Sequence, residues 1–243
     1  MLEVEGRFVS GQTGDWALHF RTWRYDLTNE DGKYAVVVHS DGHIDVFRFE
    51  SENESLLGSV SSGVKSGTET NSLRLIAVGP EIALYANGEP IFYVSDAGFS
   101  DRFRSGDMLL VVCNKQGTIP IRVQFDNLEI WEIADLALPL AEATPAPQPT
   151  ATPTPRPSLA EEARAFAEPI LAAIADRPPD YKDDFSDPGS GWSLRQSTEG
   201  EARYEDGEYV AVAAPDYWSG GDSSLLPEFS DFVGNKWSFC FGR

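Results

Sequence analysis

Apolar and polar residues alternate with a period of two from the start of the chain. Leu2, Val4 and Phe8 share one face and Glu3, Glu5 and Arg7 the other, the mark of a half-buried strand. The same alternation recurs over residues 16–21, 72–76 and 119–125. Shorter, uniformly apolar runs at 34–38, 91–94 and 108–113 fit strands covered on both faces. Among them sit Asp31-Gly32, Asp41-Gly42 and Asn87-Gly88, dipeptides that supply the positive φ values of two-residue hairpins. Strands at this spacing, joined by turns and without intervening helical patterns, predict an all-β antiparallel sandwich. Within Phe125-Asp126-Asn127-Leu128-Glu129-Ile130 the apolar phase slips by one residue, which predicts a bulge.

Beyond residue 138 the pattern changes. Residues 139–157 are Ala, Thr and Pro in the main, a composition that reads as an extended linker. At about 3.1 Å per residue in polyproline II it could reach roughly 59 Å. Ser158 with Glu161 has capping-box spacing, and Leu159, Ala163, Phe166, Ile170 and Ile174 recur at helical intervals, so a single amphipathic linker helix is predicted near 159–176, within a segment 158–177. Pro169 should kink it, and Pro178-Pro179 must end it. Strand-like runs return at 208–213 and 231–233, and the tail 234–243 has no clear period.

These residues resemble a known group. Asn71-Ser72-Leu73-Arg74-Leu75, Leu84-Tyr85-Ala86-Asn87-Gly88-Glu89 and the slipped strand at 125–130 look like the second half of a concanavalin A-like, laminin-G-type jelly roll. More closely they are similar to the bacterial extracellular 3-keto-disaccharide hydrolase domain family. Asp183-Asp184-Phe185 through Gly191-Trp192, followed by Tyr204-Glu205-Asp206-Gly207-Glu208-Tyr209, looks like the beginning of such a module, displaced to the C-terminal side. The resemblance divides the chain into 2–133, the main part of a jelly-roll module, and 181–233, first-half strands expected to complete it. Closure within one chain and a strand-exchanged dimer are the two ways of doing so. Either a fragment of a tandem array or a circular permutant would have this order.

The resemblance also implies chemistry. Related sandwich modules often hold a structural calcium where first and last strands meet, here at Asp126, Asn127 and Asp184. Calcium wants six to eight oxygens, so these are an incomplete shell, and ordinary strand-end acids are the plainer reading; no other cofactor is expected. The family implies a glycoside hydrolase or lyase, yet the acidic strand motif of comparable jelly-roll glycosidases is missing. Glu3 and Glu5, two apart on one strand face, read first as a solvated edge.

Recognition is the better-supported chemistry. His19, Arg21, Trp23 and Tyr25 fall on one side of a strand, and Tyr217-Trp218 adds aromatics among turn-forming residues; such rows suit a sugar, whose ring face stacks while its hydroxyls need donors and acceptors. Burial beneath the returning C-terminal strands is the competing reading for Trp23 and Tyr25. His39 and His43 flank the Asp41-Gly42 turn and could be neighbours across a hairpin, although no cysteine joins them in a zinc-like motif.

Composition narrows the partners. The chain has 243 residues and a formal charge of −20, which argues against nucleic acid, anionic lipid and acidic polymers. No run approaches the roughly 18 apolar residues of a spanning helix. MLEVEGRFVS lacks the basic and apolar regions of a signal peptide, so an extracellular or cell-surface location is inferred from the resemblance and the linker. The expectation is a non-catalytic module binding a carbohydrate or cell-surface polymer, with an enzyme of the resembling family and a purely architectural spacer as alternatives.

Overall fold

The computed structural model describes residues 1–10, 14–24, 31–51, 53–104, 106–114, 117–133 and 157–222, and of residues 23, 24, 31 and 222 only the backbone. Ten strands precede the helix: β1 (Leu2–Ser10), β2 (Asp15–Arg24), β3 (Asp31–His39), β4 (Ile44–Glu50), β5 (Asn53–Val60), β6 (Asn71–Val78), β7 (Glu81–Ala86), β8 (Glu89–Ser95), β9 (Asp107–Cys113) and β10 (Ile121–Ile130). After the helix α1 (Leu159–Ile174) come β11 (Tyr181–Asp183), β12 (Arg195–Gln196), β13 (Gly200–Glu205), β14 (Glu208–Ala213) and β15 (Trp218–Asp222). One sheet runs β12-β13-β14-β10-β1-β6-β7-β8, with β11 also on β10, and the other runs β15-β9-β2-β3-β4-β5. The described pairings are antiparallel, and the fold is the all-β sandwich expected, with one α-helix among the described residues.

Its core lies between the sheets. Trp16, Leu18, Tyr34, Val36, Val46 and Leu110 meet Val4, Leu73, Leu84, Val123 and Phe125, each burial being worth about 1.5–3 kcal/mol. In β1 the inward positions are Leu2, Val4, Gly6 and Phe8. Gly6 is small for a reason: a Cβ there would lie 3.0 Å from the Trp16 indole. That ring in turn stands edge-on to Phe125 at 5.7 Å.

Strand β10 carries neighbours on both edges. Residues 121–125 face β14, Leu128, Glu129 and Ile130 face β11, and β1 lies along the other side. The phase slip in the sequence is a bulge. Glu3 pairs with Glu129 but Glu5 with Asp126, and Asn127 takes φ 50°, a left-handed conformation asparagine tolerates. On the second sheet β15 pairs with β9. The strands after the helix thus belong to both sheets.

An aromatic box covers this end of the core. Phe185, Trp192 and Tyr209 are buried, with ring centroids 5.3–5.8 Å apart. Asp183 anchors it, accepting hydrogen bonds from the Trp192 indole at 3.0 Å, the Phe185 amide at 2.8 Å and the Tyr181 hydroxyl at 3.1 Å.

The predicted capping box at Ser158 and Glu161 is present, and α1 is one continuous element through Pro169. It docks Ala163, Ala167, Ile170 and Ile174 on Ile76, Ala83, Tyr85 and Trp131, the outer face of the first sheet. Two expectations need correcting. Asp31-Gly32 is no turn, since Gly32 lies within β3 opposite Glu50 and Trp23. Ile119-Pro120 stay outside β10, because a proline cannot donate to a ladder paired on both sides. The Asn87-Gly88 turn is as expected, at φ 53° and 86°. Of the predicted segments, residues 139–156 and 223–243 lie outside the described residues. Cys113 is disulfide-bonded, and the other cysteine of the chain, Cys240, lies outside them too.

A buried polar triad bridges the sheets. The Asp96 carboxylate accepts from the Tyr34 hydroxyl at 2.6 Å, from Arg48 Nη1 at 2.6 and 2.7 Å and from the Gly98 amide at 2.9 Å. Burial alone would raise the Asp96 carboxyl, but the Tyr34 hydroxyl, Arg48 and the Gly98 amide outweigh it and hold it below the usual carboxylate range. A carboxyl depressed by folding stabilises the protein fully above its unfolded value of about 4 and loses that contribution as pH falls through the folded value. Asp96→Asn should therefore cost about 3–5 kcal/mol at neutral pH by stranding Arg48. In urea unfolding the gap from wild type should shrink below about pH 4; a gap independent of pH would contradict this.

Candidate functional site

The row expected on β2 is interrupted. His19 is 5% exposed, and burial, with Lys33 adding, holds its imidazole well below the usual range. Between Phe20 and Trp23 the β2–β3 register shifts. Arg21 takes φ 52°, and its Nη1 reaches in to donate to the Gly79 carbonyl at 2.8 Å while its guanidinium lies 5.5 Å from the Phe99 ring centre. The backbone of Trp23 pairs with Gly32, and Tyr25 lies outside the described residues.

Tyr217 and Trp218 are better placed. Tyr217 is 45% exposed, just before β15, and Trp218 packs against the outer-face cluster of Ala17, Val37, Phe47 and Val111. The Arg195 guanidinium stands 5.3 Å over the Trp218 ring and pairs with Glu199 at 3.5 Å. An indole and a guanidinium thus meet at the corner where β15 of the second sheet comes near β12 of the first, and the exposed Tyr217 precedes the indole in the chain.

Asn114 positions this corner, and no periodicity marked it. It is fully buried. Its backbone amide donates to the Tyr217 carbonyl at 2.9 Å, and its carbonyl accepts from Asp216 at 2.7 Å. Its side-chain amide donates to the Ile119 and Ala213 carbonyls at 2.9 and 3.1 Å and accepts from the Gly117 amide at 3.0 Å. A glycine three residues beyond an asparagine at the end of an apolar run is the one trace in the sequence.

Each of the predicted calcium ligands has a hydrogen-bond partner close by. Asp184 Oδ1 accepts from the Ser186 amide and hydroxyl at 3.0 and 2.6 Å. Asp126 Oδ1 accepts from the Asn127 amide at 2.8 Å, and the Asn127 side chain donates to Glu5 at 3.2 Å. Burial first, then Glu208, Glu5 and Asp184, raise the Asp126 carboxyl. Among the described residues the converging set is His39, His43 and Asp45, whose ligand atoms all lie within 4.8 Å of one another. His39 meets Asp15 at 2.6 Å through Nδ1 and Asp45 at 3.1 Å through Nε2. Burial lowers the His39 pKa, but the two carboxylates outweigh it and the net shift is upward.

Glu3, half of the carboxylate pair considered above, accepts from Ser72 at 2.8 Å and from Arg74 at 2.9 and 2.7 Å. No helix among the described residues is long and apolar enough to cross a membrane.

No family model matches the chain, and no curated protein matches it. Solved structures similar to it include the CBM66 carbohydrate-binding module from Bacillus subtilis, at 18% identity over 45% of this chain and 65% of that one, TM-score 0.35. Sheep galectin-11, in complex with glycerol, is 11% identical over 51% of this chain and 86% of its own, TM-score 0.36. The CBM40 of the Ruminococcus gnavus IT-sialidase is 15% identical over 47% and 62%, TM-score 0.32. The chain thus spans a little under two thirds of each of these two bacterial modules.

If Asn114 fixes the aromatic corner, Asn114→Ala should cost about 1–3 kcal/mol, the range for buried partners left unpaired. Urea unfolding monitored by tryptophan fluorescence measures it. A loss under about 0.5 kcal/mol, the size of an ordinary surface change, would remove Asn114 from that role.

Proposed function

We propose that this chain is a non-catalytic, extracellular or cell-surface module that binds a carbohydrate through Tyr217, Trp218 and Arg195. The single observation that carries the reading is the Arg195 guanidinium over the Trp218 indole, next in sequence to an exposed Tyr217 whose backbone is tied to a buried Asn114. A sugar presents an apolar ring face and a rim of hydroxyls. The phenol and indole offer stacking surface, and Arg195 and Glu199 offer a donor and an acceptor. Preorganisation by Asn114 lowers the ordering cost of binding. The charge of −20 favours neutral over acidic glycans.

The engagement of Glu3 by Arg74 and Ser72 supports binding over hydrolysis, because a glycosidase needs two carboxylates free to reach the scissile bond. The His19 and Arg21 portion of β2 supports the sandwich in this reading. Under the architectural alternative the corner would bind nothing.

A glycan array on the intact chain, followed by titration of any hit, tests this. Binding should quench or shift tryptophan emission, and Tyr217→Ala and Arg195→Ala should each weaken it about tenfold or more while leaving the unfolding midpoint in place. Hits unaffected by both substitutions would move the site elsewhere. An array without hits would leave the spacer reading.

A further inference from the structure

In the same cross-strand row of the second sheet as Trp218, four strands bring one polar group together on the outer surface. Strand β2 supplies Asp15, β3 ends in His39, the turn holds Asp41 and His43, β4 supplies Asp45 and β5 Ser59. In register Asp15 lies opposite His39, and Asp45 opposite Ser59. The two imidazoles are stacked, with centroids 3.7 Å apart and 12° between planes.

Each ring has one nitrogen committed. His39 Nδ1 is 2.6 Å from Asp15 Oδ1, and His43 Nδ1 is 2.5 Å from Asp41 Oδ1. The Nε2 atoms therefore face the same third group: Asp45 Oδ2, 3.1 Å from His39 Nε2 and 3.7 Å from His43 Nε2. The other oxygen of Asp45 is held by the Ser59 hydroxyl.

We propose that His39, His43 and Asp45 form a binding site for a divalent transition-metal ion of the zinc class, with Asp15, Asp41 and Ser59 orienting the ligands. Two imidazoles and one carboxylate are the donor set borderline cations take, whereas calcium and magnesium call for oxygen throughout. A tetrahedral ion with ligands at about 2.0–2.2 Å needs donor atoms roughly 3.3–3.6 Å apart, and the Nε2–Oδ2 separations bracket that range. Histidine ligands characteristically donate their second nitrogen to a carboxylate, which fixes the tautomer and leaves the other lone pair for the metal; here both histidines have that arrangement. The side chains of His43, His39 and Asp45 are 32, 19 and 17% exposed, so an ion can enter from solvent. Three protein ligands leave a fourth position to water or an incoming oxygen. Bound there, the ion would join β3 to β4 across their turn.

The test uses the intact, untagged chain after chelator treatment, titrated with Zn²⁺ alone. Calorimetry should give one saturable site per chain, and the unfolding midpoint should rise with Zn²⁺ concentration, because a ligand of the folded state stabilises by mass action. Calcium at the same concentration should do neither. His43→Gln and Asp45→Asn should each weaken Zn²⁺ affinity by at least tenfold, and Asp41→Asn by roughly 10–100-fold as a supporting partner. Since His43 and Asp41 lie in an exposed turn, their variants should unfold at the wild-type midpoint without metal. Absence of saturable Zn²⁺ binding, equal binding by His43→Gln, or a preference for calcium would each overturn the assignment.

Discussion

Strand β10 is the constraint on which the rest of the sandwich depends. It must be long enough to pair β1 along one side and to give its two halves to different partners, β14 and β11, on the other. A straight ladder does not do this readily. The bulge at Asp126 and Asn127 turns the strand between the halves, so that Asp183, Phe185 and Trp192 arrive over the end of the core where Tyr209 is waiting. The left-handed Asn127 supplies a local kink at modest conformational cost. In exchange the first sheet gains strands that would otherwise leave an open edge beside Phe125.

Buried polar side chains fix the places where this arrangement is least regular. Asp183 ties the turn after β11 to the Trp192 indole, Asp96 joins Tyr34 and Arg48 between the sheets, and Asn114 ties the end of β9 to the loop before β15. Each is satisfied by several partners, as a buried polar group must be to avoid a penalty of the order of its lost hydration. The aromatic corner and the histidine cluster lie along one cross-strand row of the second sheet, Trp218 opposite Cys113, Cys113 opposite Asp15 and Asp15 opposite His39, one held from within by Asn114 and the other by carboxylates on neighbouring strands.

The fold was legible in the sequence wherever one face of a strand is wet. The alternation from Leu2 to Phe8 and the slip after Phe125 needed only the period of two. Where both faces are covered the period vanishes: β7 reads Glu81-Ile82-Ala83-Leu84-Tyr85-Ala86 because Ile82 and Leu84 face the core while Ala83 and Tyr85 meet α1. The helix was visible from Ser158 and Glu161, but its docking surface was hidden in that unbroken run. For the sites, linear alternation was a poor guide. It placed His19 and Arg21 in one outward row, and a register shift between Phe20 and Trp23 turned Arg21 inward. Asn114 carried no pattern, because its function is to satisfy backbone groups that only the folded chain brings near.

Hydrogen exchange read by mass spectrometry on the intact chain tests the dependence on β10 most directly. If β10 holds β1, β11 and β14 in one cooperative unit, amides of β1, β10 and β14 should exchange only through global opening, with a common free energy that falls in parallel as urea is added. Rapid exchange of β14 and β15 beside fully protected β1 and β6 would show that the C-terminal strands are not part of that unit.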